Sequence, residues 1–240
     1  MEANSLSGKK VVVIGGTSGI GFAVAAAALD AGARVVVASS RQASVQGALK
    51  RLGDGAAGFA VDVNEEGDVE RFFGGLGPFD QLAFTAGDWG ASLGAPLREL
   101  DLAVARGAFA VRFWGALAVV KHGRRTIAEG GSITLTDGII AHRPFKGAAV
   151  NTAMLGAIEH LTRALAVDLA PVRVNAVCPG FVLTERNTRL PEDLIRGFTA
   201  RLPLARGGAP AEVAEAYLYL MRGGYTTGQV LLVDGGGSVV

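Results

Sequence analysis

Cysteine occurs once, at position 178, so the chain can form no internal disulfide, and a reducing, cytoplasmic setting is the expectation. Neither charge is in excess, with 23 basic against 22 acidic residues. The basic residues are scattered, with no run longer than a pair such as Arg124-Arg125, which argues against nucleic acid as a partner. No Cys/His pair stands at ligand spacing, so no metal is expected. Half of the residues are hydrophobic, yet glycine and charge break the apolar runs. No span of 18 residues suggests a membrane helix, and no membrane partner is expected. The first ten residues, Met-Glu-Ala-Asn-Ser-Leu-Ser-Gly-Lys-Lys, have no apolar centre of the kind a secretion signal needs. Tyrosine is found only at 217, 219 and 225.

Glycine, at 35 residues, is about twice as frequent as usual. No repeat period accompanies it, so it implies many tight turns. The most informative stretch is 11–21, Val-Val-Val-Ile-Gly-Gly-Thr-Ser-Gly-Ile-Gly, followed by the alanine-rich 22–31. A β-branched run, a glycine turn and a helix start follow one another. Glycines 15, 19 and 21 let backbone N–H groups at the helix start approach a pyrophosphate, where the helix dipole favours anions. A tight turn needing small residues is the plainer alternative, and the G-x-x-x-G-x-G spacing differs from the general dinucleotide fingerprint.

Further apolar runs at 35–38, 58–63, 81–85, 133–136, 173–178 and 230–234 alternate with helical-length segments, the longest at 101–122 and 150–169. Alternation of this kind predicts one α/β domain, 1–240, with a doubly wound parallel sheet of about seven strands and helices on both faces. Ligands in such sheets bind beyond the carboxyl ends of the strands. After the second strand stand Ser39-Ser40-Arg41, with no carboxylate to repel a 2′-phosphate and one guanidinium to hold it, which favours NADP(H) over NAD(H). A solvated loop arginine is the competing reading of Arg41. Asp62-Val63 follow the third strand, where the carboxylate could accept from the adenine amino group or, like Asn64, cap a helix. Ala86-Gly87 follow the fourth, as a close approach to a ribose or as a simple turn.

The ordered set Gly15-Gly16-Thr17-Ser18-Gly19-Ile20-Gly21, Asp62-Val63, Ala86-Gly87, the run 173–180 Arg-Val-Asn-Ala-Val-Cys-Pro-Gly and the run 227–236 Thr-Gly-Gln-Val-Leu-Leu-Val-Asp-Gly-Gly resembles the short-chain dehydrogenase/reductase family over nearly the whole chain. The resemblance implies a Rossmann-like domain. It also implies that Pro179, Gly180, Val182 and Thr184 cradle the nicotinamide and pyrophosphate, and that 185–210, polar and broken by Pro191, Pro203 and Pro210, is a variable substrate lid. Helices 101–122 and 150–169 would pack between subunits of a homodimer or homotetramer.

The same resemblance implies a catalytic Asn, Ser, Tyr and Lys, with Tyr and Lys four apart so that they share a helix face. In this sequence those positions hold Arg112, Gly138, Asn151 and Leu155, and no Tyr-x-x-x-Lys occurs anywhere. No group left at these four positions titrates near neutrality. Asp137 is a substitute acid if burial raises its pKa, though a strand-end Asp more commonly caps a turn. His142 has a suitable ordinary pKa but reads as a surface residue, while His122, His160 and Cys178 read as structural. Arg112 either fills the place vacated by the Lys, binding a ribose or an anionic ligand, or snorkels outward. Three functions stay open: an oxidoreductase with an unusual proton route, a non-catalytic NADP(H)- or ligand-binding protein, and a lyase or isomerase using the cleft without redox. Each takes a small molecule as ligand or substrate, whose identity the lid conceals.

Overall fold

The computed structural model describes residues 5–87 and 94–240. Its centre is a single sheet of seven strands, β1 (Lys10–Ile14), β2 (Arg34–Ser39), β3 (Ala56–Ala60), β4 (Phe79–Phe84), β5 (Ile127–Thr136), β6 (Arg173–Pro179) and β7 (Val230–Val233). They lie in the order β3-β2-β1-β4-β5-β6-β7, and every pairing is parallel. From β1 the chain steps outward to β3, then crosses back to set β4 against the other side of β1, with Val11 opposite Gln81 and Ile14 opposite Phe84. The winding reverses between β1 and β4, and the ligand crevice of such a sheet opens there.

Val11, Val12, Val13 and Ile14 are all fully buried, as a parallel strand covered on both faces requires. Alternate side chains serve two cores. Val12, Ile14, Leu82, Phe84, Ile133 and Leu135 pack toward α3 (Glu66–Leu76), α5 (Ala116–Gly123) and α6 (Ala149–Asp168). Val11, Val13, Val35 and Val37 pack toward α1 (Gly19–Asp30) and α8 (Pro210–Arg222). Helix α2 (Gln42–Leu52) links β2 to β3. The expected strands and winding are therefore present, with boundaries moved by a few residues: β3 ends at Ala60 rather than 63, and β5 starts at Ile127 rather than 133.

Two expectations need correction. The segment 101–122 is not one regular helix. It comprises α4 (Leu102–Arg106), a 3₁₀ turn at Gly107–Phe109, a π-helical turn at Ala110–Gly115, and α5. A π turn carries one extra residue per turn without changing the apolar pattern on either side, so periodicity does not reveal it. The continuous stretch Leu102–Gly123 is also, by length and composition, apolar enough to cross a membrane, whereas no such span was expected. The arginines at 106 and 112 that break the sequence run are too few to exclude it. In the fold this stretch packs against α3 and α6.

The segment 185–210 contains an unforeseen helix, α7 (Glu192–Thr199), after a 3₁₀ turn at Asn187–Arg189. A parallel bridge between Val182 and Gly208 closes its base. The stacked rings of Phe181 and Phe198, 4.9 Å apart, tie α7 to the end of β6.

Candidate cofactor and active site

The carboxyl ends of the strands enclose a cleft of about 920 Å³. Every residue assigned to a cofactor from the sequence lines it: Gly15, Thr17, Ser18, Gly19, Ile20 and Gly21 from the first turn; Ser40, Arg41, Asp62 and Val63 from the next two; Ala86 and Gly87 after β4; Pro179, Gly180, Val182 and Thr184 after β6. Residues up to 169 positions apart in sequence thus share one wall, because a parallel sheet delivers all its strand ends to one side.

The turn between β1 and α1 has no room for a side chain at Gly15 or Gly21. Gly15 has φ +85°, and a Cβ on it would lie 2.4 Å from the Ala86 nitrogen. A Cβ on Gly21 would lie 2.3 Å from both the Gly15 carbonyl oxygen and Thr85 Oγ1. Thr85 Oγ1 in turn donates to the Ile14 carbonyl at 2.9 Å, clamping the end of β4 to the end of β1. Ser18 stands at the N-cap of α1 with no side-chain cap bond, and the first turn of α1 has no acid of its own. Glycines that admit no Cβ and a helix start without a local cap or acid fit a pyrophosphate. Arg41 is exposed at the rim after β2, where it would meet a 2′-phosphate. Asp62 Oδ1 accepts from both the backbone and the side-chain nitrogen of Asn64 at 3.0 Å. It therefore closes a local turn rather than capping α3, whose N-cap is Glu65.

Of the four positions expected to bear on chemistry, Arg112 and Gly138 line the cleft, while Asn151 and Leu155 do not. Arg112 lies on the π turn and is buried, so it does not snorkel outward. A Cβ on Gly87 would sit 2.4 Å from Arg112 Nη2 and 2.5 Å from Cζ, so the guanidinium rests directly on the Ala86-Gly87 turn. Asn151 and Leu155 are fully buried on α6, Leu155 within the apolar core.

Asp137 behaves differently from the expected turn cap. Its backbone N–H donates to the Val177 carbonyl, and its side chain is buried beside the Gly138 backbone, Glu159 and Cys178. The donor atoms of Asp137, His142 and Cys178 lie within 4.8 Å of one another. Glu159 of α6 completes the group, with its Oε1 2.7 Å from His142 Nε2 and its Oε2 3.3 Å from Arg163 Nη2. Burial above all, reinforced by the Glu159 carboxylate, raises the Asp137 pKa to about 7. Burial likewise pushes the Cys178 thiol well above its usual range, which disfavours the thiolate and fits a packing group. His142 is one-third exposed at its side chain, giving the cluster an edge toward solvent.

Sequence reasoning missed Glu159 altogether. The available signal was a lone acid within the apolar stretch 154–161 of a helix. His122 and His160 are structural: the first is buried against Glu66 Oε1 at 3.0 Å, and the second bonds the Gly156 carbonyl of its own helix.

A family model described as enoyl-(acyl carrier protein) reductase matches residues 14–238. The short-chain dehydrogenase/reductase ucsE of Acremonium sp is 37% identical over 257 residues, covering 98% of this chain and 97% of that protein. A solved small-chain dehydrogenase in complex with NADPH superposes with a TM-score of 0.83 at 34% identity, covering 97% of this chain and 99% of the other. The structure of the MalC reductase/Diels-Alderase from Malbranchea aurantiaca gives a TM-score of 0.90 at 31% identity, covering 98% of both chains. Matched from β1 almost to the last residue in both sequence and fold, this chain belongs to the short-chain dehydrogenase/reductase family of oxidoreductases.

Proposed function

We propose that this chain binds NADP(H) and that the proton-handling groups usual in its family are replaced, so that reduction of a carbonyl or related acceptor proceeds slowly by another proton route. One observation carries the reading: the glycine turn admits no Cβ at Gly15 or Gly21, while positions 112, 138, 151 and 155 hold Arg, Gly, Asn and Leu, none of which titrates near neutrality. Ser40 and Arg41, without a carboxylate beside them, support NADP(H) over NAD(H). The solved relative that holds NADPH supports the same choice.

When bound, the nicotinamide supplies or takes the hydride. The chain's own residues position it and manage charge. Gly15 to Gly21 present the start of α1 to the pyrophosphate, and Pro179 and Gly180 face the cleft from the end of β6. Arg112 holds a fixed positive charge against Gly87 and cannot give up its proton in turnover. Among the described acids that line the cleft, Asp137, next to the family's Ser position, has its pKa raised to about 7, which supports it as the group that exchanges the proton.

A second reading, a non-catalytic NADP(H)- or ligand-binding protein, draws support from Asn151 and Leu155, which are buried outside the cleft lining. A relative named both reductase and Diels-Alderase supports a third, in which the cleft shapes a small-molecule substrate for a reaction without redox. The exposed Leu102, Val104 and Trp114 support assembly into a homodimer or homotetramer through the 102–123 stretch. Titrating the purified chain with NADPH and following its absorbance across a panel of ketones, activated carbonyls and imines tests the proposal. Tight binding with consumption only on activated acceptors is the expected result. Binding without consumption on any acceptor selects the second reading.

A further inference from the structure

Glu185 extends from the end of the β6 segment onto the first turn of α1. Its Oε2 accepts from the Gly19 N–H at 2.9 Å, and its Oε1 stands 3.9 Å from Arg51 Nη2. Thr184 packs beneath, since a Cβ on Gly19 would lie 3.1 Å from Thr184 Cγ2. Arg51 is itself fixed over the Phe22 ring of α1, 3.6 Å from its centroid. Downstream, Thr188 Oγ1 donates to the carbonyls of Thr184 and Glu185, and Asn187 Nδ2 donates to the Val182 carbonyl. Glu185 is thus joined to the beginning of the 185–210 segment.

The start of α1 carries unsatisfied N–H groups and the positive end of a helix dipole, so an anion there is favourable. In this structure the anion is a carboxylate supplied by the chain. A pyrophosphate at the same turn needs the same N–H groups, and its charge repels a carboxylate held beside it. The two anions compete for one seat.

We infer that Glu185 is an internal substitute for the cofactor pyrophosphate, which sets nucleotide affinity by having to leave Gly19 before NADP(H) seats. This rests on reading the cleft as an NADP(H) site. On leaving, the carboxylate moves toward Arg51, already 3.9 Å away, and draws the start of the 185–210 segment with it. Nucleotide binding and the position of that segment are then two sides of one equilibrium, each biasing the other to the same extent. Because the Glu185 side chain is half exposed, solvent screens the contact and the effect is several-fold rather than many orders of magnitude.

The test uses the full chain as wild type, Glu185→Gln and Glu185→Ala, each titrated with NADPH by calorimetry. In parallel, trypsin is applied to the free proteins, whose 185–210 segment offers Arg186, Arg189, Arg196, Arg201 and Arg206. We expect both variants to bind NADPH about three- to tenfold tighter, roughly the span of one charged contact at a helix start. We also expect the segment to be cleaved faster in the free variants than in free wild type. Affinities within twofold of wild type, weaker affinities, or unchanged cleavage overturn the inference while leaving NADP(H) binding in place. If none of the three proteins binds NADPH or NADH, the cofactor reading itself fails, which is a separate outcome.

Discussion

Asp137 is the residue on which the proposed proton route rests. Its folded pKa, about 7, lies above the ordinary unfolded value of about 3.9. Between those values the folded protein keeps a proton that the unfolded chain has released, so stability falls as pH rises from about 4 to 7. Asp137→Asn removes that slope. We expect the variant to gain on the order of 1–3 kcal/mol over wild type at pH 8 and almost nothing at pH 4, read by denaturant unfolding at both values. An unchanged difference across the range would show that the carboxyl titrates normally. If Asp137 also delivers the proton, the same variant loses about 10²-fold or more in turnover on any acceptor the wild type reduces. Arg41 makes a different contribution, through charge at the cleft rim. Arg41→Ala is expected to weaken NADPH binding by about tenfold, in line with one charge-assisted contact, and to leave NADH binding within about twofold in the same calorimetric titration. Equal losses for both nucleotides would mean that the guanidinium does not meet the 2′-phosphate.

Among the elements, two junctions hold the site: the β1–α1 turn, and the contact between the end of β4 and the π turn. Gly21→Ala places a Cβ 2.3 Å from the Gly15 carbonyl and Thr85 Oγ1. It should cost roughly 1–3 kcal/mol of stability by overpacking and abolish measurable nucleotide binding. Gly87→Ala drives a methyl into the Arg112 guanidinium. A similar destabilisation is expected, relieved in the double variant with Arg112→Ala; a double-mutant cycle with no coupling would show that the two do not share the space. How far these elements can be read from sequence follows from their locality. The strands declare themselves by β-branched runs such as 11–14 and 35–37, and the cofactor turn by glycines within seven residues of one another. The π turn adds a residue without altering composition, and α7 lies in a polar segment whose prolines read as loop, so neither was legible. The cluster of Asp137, His142, Glu159 and Cys178 draws on three separate parts of the chain, the β5–α6 connection, α6 and β6, and no spacing rule joins residues that only tertiary packing brings together.

For the molecule as a whole, the parallel sheet and its two cores are those of an oxidoreductase family, while the four positions that resemblance assigns to proton transfer hold Arg, Gly, Asn and Leu. At Gly15, Gly21 and Gly180 the cradle is set by neighbouring backbone, from the Ala86 turn, Gly15 itself and Asp234, and none of these contacts involves α6. The group of Asp137, His142, Glu159 and Cys178 includes none of those four positions and sits where the ends of β5 and β6 meet α6. The most direct test loads the purified protein with NADPH, confirms saturation by calorimetry, then adds a simple unactivated ketone and follows the nucleotide through a single turnover. The account predicts saturable binding with no consumption on the timescale of ordinary enzyme turnover, about 1–10³ per second. Oxidation of the bound NADPH at such a rate would contradict it.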